Sequence, residues 1–237
     1  MRAFVAAVFA IVITAAPAAA QVSTCPNPDG GACLGPLTAG TYTTADFVLP
    51  ITYTVPDGWD SEEDLLGNFL LLLPGQRLEG VNAGTSDFVG IYHAVAVASE
   101  NCEELAEYTV GRSPAAIAEY FAGHPGLVTD GPEPVSVGGL DGLRIDVRLS
   151  PGWDATCPWL PDVPVVPLII GDGVDTFLHH VAVGDLVTRL HLLDDGSGTA
   201  LAIDASYVPQ PDQTFEAFIA QVEPVIERLR FAAGPVE

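Results

Sequence analysis

Short β-branched and aromatic runs, most of them cut off by glycine or proline, follow one another along this chain and limit what it can fold into. Residues 41–49, 51–55, 68–73, 87–97, 134–137, 143–149, 163–170, 176–183, 186–193 and 199–207 all read as strands of this kind. Pro50 separates the first two, and Pro56-Asp57-Gly58-Trp59 turns the chain after the second. Turn sequences at 138–142, 184–185 and 194–198 are short enough for hairpins, so successive runs are expected to pair antiparallel, the last three as a meander.

Two segments break the rhythm. Ser113 can cap a short helix, Pro114 suits its first turn, Ile117, Tyr120 and Phe121 share a face, and Gly123 with Pro125 ends it. From Phe215 the apolar positions Phe218, Ile219, Val222, Val225, Ile226 and Leu229 follow a 3.6-residue period. That predicts a long C-terminal helix of four turns, capped by Asp212 or Thr214 and bent at Pro224, with Arg228 and Arg230 at its negative end. The expected fold class is therefore α+β, a largely antiparallel sheet with a long C-terminal helix and a shorter middle helix.

Residues 1–20 read as a secretory signal peptide, with Arg2 as the basic end, an apolar stretch to Ala15 and a small-residue site before Gln21. Residues 21–38 form a Cys/Pro/Gly-rich segment, and 39–234 a single α+β domain. No later stretch reaches the roughly 20 apolar residues of a spanning helix. The expected location is secreted or extracytoplasmic. The chain carries 31 acidic residues against 8 basic ones, all arginine, for a formal charge of -23. Removal of Arg2 leaves seven arginines against the 31 acids, a formal -24. Such a surface repels phosphate backbones and excludes nucleic acid as a partner. Without lysine there is no Schiff-base chemistry and no Walker-type phosphate grip.

Four cysteines in an exported chain suggest two disulfides. Of the three possible pairings, spacing favours Cys25–Cys33, closing a small loop, and Cys102–Cys157, stapling the middle of the fold. None of the spacings matches a zinc knuckle. The chain contains no nucleophile-elbow, zincin, P-loop or dinucleotide motif. If residues 176–183 and 186–193 pair as a hairpin, His180 and His191 become diagonal neighbours, a two-ligand metal patch with His93 or Asp195 as a further ligand. The competing reading is ordinary strand histidines, and His124 reads as a cap or loop residue. The acidic runs 57–64 and 172–195 lack the calcium-loop pattern and read as solvated surface. Trp59 follows a turn, and Trp153 and Trp159 flank Cys157, so the three are candidates for an aromatic recognition surface. Packing of the last two on a disulfide is the alternative.

Three stretches carry a family resemblance. Residues 51–59, ITYTVPDGW, residues 135–148, VSVGGLDGLRIDVR, and the closing segment 215–231 together resemble PsbP-like proteins in the same order. The resemblance spans residues 51–231 and implies an α/β/α sandwich around an antiparallel sheet. It implies a non-catalytic binding or assembly role, as in photosystem extrinsic subunits and exported actinobacterial lipoproteins. The chain lacks the lipid-anchor cysteine of the latter. The expectation is an exported, non-enzymatic binding or interaction domain without a cofactor, whose partner is an extracytoplasmic protein or a small ligand. The alternatives are a secreted hydrolase with a carboxylate or histidine site and an acidic cation-binding protein.

Overall fold

The computed structural model describes residues 33–103, 105–171, 178–184 and 186–232. The expected signal peptide and Cys25 lie outside the described residues. The chain runs through β1 (Gly35–Pro36), β2 (Gly40–Thr43), β3 (Ile51–Val55), β4 (Asp60–Asp64), β5 (Asn68–Leu72), α1 (Leu78–Asn82) and β6 (Phe88–Val97). It continues through α2 (Pro114–Gly123), β7 (Leu127–Val137), β8 (Leu140–Leu149), β9 (Val165–Ile170), β10 (Leu178–Val183), β11 (Val187–Asp194) and β12 (Ala200–Tyr207). The last elements are α3 (Phe215–Ile226) and β13 (Arg230–Phe231).

One antiparallel sheet dominates, in the order β1-β4-β5-β6-β12-β11-β8-β7, with the β9–β10 hairpin branching from the end of β6. A smaller sheet, β13-β3-β2, is hydrogen-bonded apart from it. All eight residues of β12 are buried, because both faces of the large sheet are covered. On one face Phe218, Val222 and Ile226 of α3 join Tyr53 of the small sheet over Phe69, Ile91 and Ile203. On the other, Ile117 and Phe121 of α2 and Leu168 of β9 pack on Ile145, Leu190 and Leu192. Pro132 and Pro134 cannot donate to a central ladder, which suits β7 to the sheet edge.

The helical expectation needs correction. Strand accounts for 44% of the described residues and helix for 14%, so the fold is mostly β, with three short helices. The long C-terminal helix is not found: α3 has 12 residues and ends at Ile226, little longer than the 10 residues of α2. The apolar period carried on to Leu229, but the chain leaves the helix there to pair β13 with β3, Arg230 opposite Thr52 and Phe231 opposite Ile51. Pro224 near the end already lacks one helical amide hydrogen. Arg230 instead donates to the carbonyls of Glu227 and Leu229 beyond the helix. The α/β/α sandwich is therefore replaced by a mostly antiparallel β fold whose layers are completed by short helices and strands together. The α2 signals do coincide with an element: the Ser113 hydroxyl accepts from the Ala116 amide, and Ile117 and Phe121 are fully buried.

The expected meander is also corrected. β11 pairs with β12 and β8, and β10 pairs with β9. With both edges of β11 occupied, β10 has no place beside it.

Among the described residues no helix is long and apolar enough to cross a membrane.

Candidate functional site

The site forms where α2 ends. Ala116, Glu119, Tyr120 and Gly123 recur at helical spacing along one side of α2, and Tyr120 also packs against the core beneath the helix. Across from them runs the loop that leaves β6, contributing Glu100, Thr109, Val110 and Gly111. Between the two is a cleft of about 420 Å³, with His124 and Pro125 at the helix C-terminus.

His124 is held on every side. Its side chain is 3% exposed, its ring lies 5.7 Å from Tyr120 and 5.7 Å from Trp153. Nδ1 accepts the Gly126 amide at 3.0 Å, which leaves the ring proton on Nε2. Nε2 faces Glu100 Oε1 at 3.5 Å, and the same oxygen accepts the Tyr120 hydroxyl. Burial pushes the His124 pKa down, against the opposing pull of Glu100. Burial, and then the adjacent Glu100, pushes the Tyr120 phenol up. The site therefore presents a neutral imidazole, a neutral phenol and an oriented carboxylate.

Gly126 makes the ring packing possible. A Cβ there would stand 2.8 Å from Trp153 Cε2, 2.8 Å from Val166 Cγ2 and 2.9 Å from His124 Cε1. Trp153 is anchored in turn by its indole N–H, which donates to the Val165 carbonyl at 3.1 Å.

The Glu100 loop is tied down covalently. Cys102 and Cys157 form a disulfide with a Cα–Cα distance of 5.5 Å, as their spacing suggested. Cys102 takes a left-handed backbone, φ 61°, and Trp159 donates its indole N–H to the Cys102 carbonyl at 3.3 Å. Asn101 Oδ1 accepts from Ser99 and from the Glu103 amide, closing the turn. Cys33 is also disulfide-bonded, and Cys25, its expected partner, lies outside the described residues.

The three tryptophans do not gather on one surface. Trp153 backs His124, Trp159 is 43% exposed beside the disulfide, and Trp59 is 2% exposed in the core under the small sheet. His180 and His191 are not cross-strand neighbours. His180 sits opposite Ile169 on β9, while His191 lies between Ile203 of β12 and Arg144 of β8. The proposed additional ligands pair with each other: His93 Nε2 is 3.1 Å from Asp195 Oδ2. Among the described residues no group of three or more His, Cys, Asp or Glu side chains could hold a metal ion.

His191 belongs to a second polar cluster beneath α3. Arg189 makes a bidentate pair with Asp146, at 2.7 and 2.8 Å, and its guanidinium lies over the Phe215 ring at 5.6 Å. Glu223 of α3 reaches over both basic groups, 3.6 Å from Arg189 and 3.7 Å from His191. The His191 ring first, then the Arg189 and Arg144 charges, hold the Glu223 carboxyl below its usual range, although burial works the other way. His191 is fully buried, and neither ring nitrogen has a hydrogen-bond partner among the described residues. The cluster ties α3 to the sheet.

The acidic run at 57–64 is not uniformly solvated. Asp64 is 6% exposed, and its carboxylate accepts the amides of Ala45, Asp46 and Phe47 at 2.6, 3.3 and 3.0 Å. It clamps the loop between β2 and β3, a role the charge run alone did not signal.

No family model matches the chain, and no curated protein does. A solved structure of a protein from Bacteroides thetaiotaomicron VPI-5482 shares 12% identity over 77% of this chain and 45% of that one, with a TM-score of 0.31. This chain thus spans under half of that protein's length, and a likeness of that degree carries no argument about fold or function.

Proposed function

We propose that this protein is an exported, non-enzymatic binding module that holds a small ligand in the cleft between α2 and the loop 99–112. One observation carries the reading: a buried His124, locked by Gly126, Trp153 and Tyr120, aims its Nε2 proton at Glu100 inside a cleft of about 420 Å³. That volume lies within the range of small-molecule sites, which combine apolar walls with a few oriented polar groups. An imidazole whose one basic nitrogen is already taken up by a backbone amide is a poor proton acceptor for catalysis and a good fixed donor. The disulfide and the signal-like leader support an oxidising, extracytoplasmic setting.

The test uses the space beside Gly123, whose Cβ position meets no atom within 4 Å. Gly123→Trp fills the cleft from the end of α2 without crowding the core. In a ligand-observed NMR screen, fragments that bind the wild type are expected to lose their saturation-transfer signal with Gly123→Trp. Fragments that bind both proteins alike would overturn the assignment of the cleft as the binding site.

A further inference from the structure

We infer that the ligand of this cleft carries a positively charged nitrogen, an ammonium or guanidinium group seated against Glu100; this rests on the reading of the cleft as the binding site. The polar lining points one way. Glu100 and Glu119 contribute two carboxylates, and among the described residues that line the cleft there is no arginine, in a chain without lysine. The single imidazole has Nδ1 engaged with the Gly126 amide, and its remaining proton faces Glu100, not a ligand anion.

Glu100 is also oriented as an acceptor. The Tyr120 hydroxyl and the His124 Nε2 proton both approach the same carboxylate oxygen, Oε1. The carboxylate is 60% exposed, yet its loop is closed by Asn101 and stapled two residues on by Cys102–Cys157. An acceptor already aimed by neighbours costs a charged donor little reorganisation, and hydrogen bonds to ions are the stronger kind. Two further features add negative potential. The cleft reaches the C-terminal end of α2, where carbonyl dipoles favour a cation, and the last turn of α2 has no basic residue to neutralise them. The Tyr120 ring adds an aromatic wall of the sort that attracts cations.

The experiment compares three probes of one size, n-butylammonium, n-butanol and butyrate, by amide chemical-shift titration of the full chain. Butylammonium is expected to give saturable shifts at Tyr120, His124 and Gly126, and the other two to give none. Glu100→Gln is expected to weaken butylammonium about tenfold, the loss of one charge-assisted contact. Glu79→Gln, on exposed α1 and outside the cleft, should leave affinity unchanged and controls for diffuse attraction to an acidic surface. Equal binding of butanol or butyrate would overturn the cationic assignment while leaving the cleft a binding site. Butylammonium binding that Glu79→Gln weakens as much as Glu100→Gln would overturn it too. If no probe binds, the inference fails, and the cleft is judged by the Gly123→Trp screen alone.

Discussion

At the scale of single residues, the Gly126 amide decides the chemistry of His124. By donating to Nδ1 it opposes a second ring proton, and burial opposes the charge. His124 should therefore titrate below the ordinary histidine value of about 6.5 and show the Nε2–H tautomer in nitrogen-15 spectra. The sign for stability follows. A histidine whose folded pKa is depressed contributes stability that is present above its unfolded pKa and is lost as pH falls through the folded one. A His124→Asn variant should lose this part of the acid sensitivity below about pH 6.5, read from denaturation midpoints across pH. Gly126 itself tolerates no Cβ, so Gly126→Ala should cost about 1–3 kcal/mol by overpacking and displace the His124 or Trp153 ring. Urea denaturation checks the first effect, and unmoved His124 and Trp153 ring resonances would contradict the second. Sequence reading gave His124 a local role at a helix end, which is where it sits. What it could not supply was Trp153 and Glu100 as neighbours, 29 and 24 positions away along the chain, because contact of that kind is set by sheet topology.

Among the elements, α3 depends on charges it does not own. Glu223 is held by His191, Arg189 and Arg144 below the usual carboxylate range. A depressed carboxyl contributes stability above its unfolded pKa, roughly 4.3, and loses it as pH falls through the folded value. Glu223→Gln should flatten the acid limb of the stability–pH curve in that window, and an unchanged limb would show that α3 docks by its apolar face alone. The 99–112 loop depends instead on its staple. With a separation of 55 residues, Cys102–Cys157 stabilises by about 4 kcal/mol on the chain-entropy model. The double Cys102→Ser, Cys157→Ser variant should lose much of that in urea and exchange the Ser99 and Cys102 region amides faster. Most strands and α2 were legible because their signals are local: β-branched runs between turns, Ser113 before Pro114, Gly123 in the last turn. β4 was not, because Asp60–Asp64 carries the composition of a solvated acidic run. The end of α3 was not, since the apolar period ran on to Leu229 while pairing of Arg230 with Thr52 decided where the helix stops. The partner of β10 was not legible either. A two-residue turn permits a hairpin, but β8 and β12 had already filled both edges of β11.

For the molecule as a whole, charge sets the response to its medium. A formal charge of -23 with eight arginines leaves most carboxylates facing one another across water. Salt shortens the Debye length to roughly 3 Å at 1 M and screens that repulsion. The thermal midpoint is therefore expected to rise between low and molar NaCl, and calorimetric scans that superimpose would contradict this. The same charge is not spread without purpose. Asp64 clamps the β2–β3 loop, Asp146 and Glu223 secure Arg189, and Glu100 stands in the cleft. From the sequence these acids were indistinguishable from their solvated neighbours, because burial and partners, not residue type, separate them. The cleft at the end of α2 is the proposed place where this protein meets its ligand. This placement is tested most directly by a crystal structure grown with the tightest fragment from the Gly123→Trp screen. The fragment is expected between Tyr120, His124 and Glu100. A fragment bound elsewhere, with the cleft filled only by water, would contradict it.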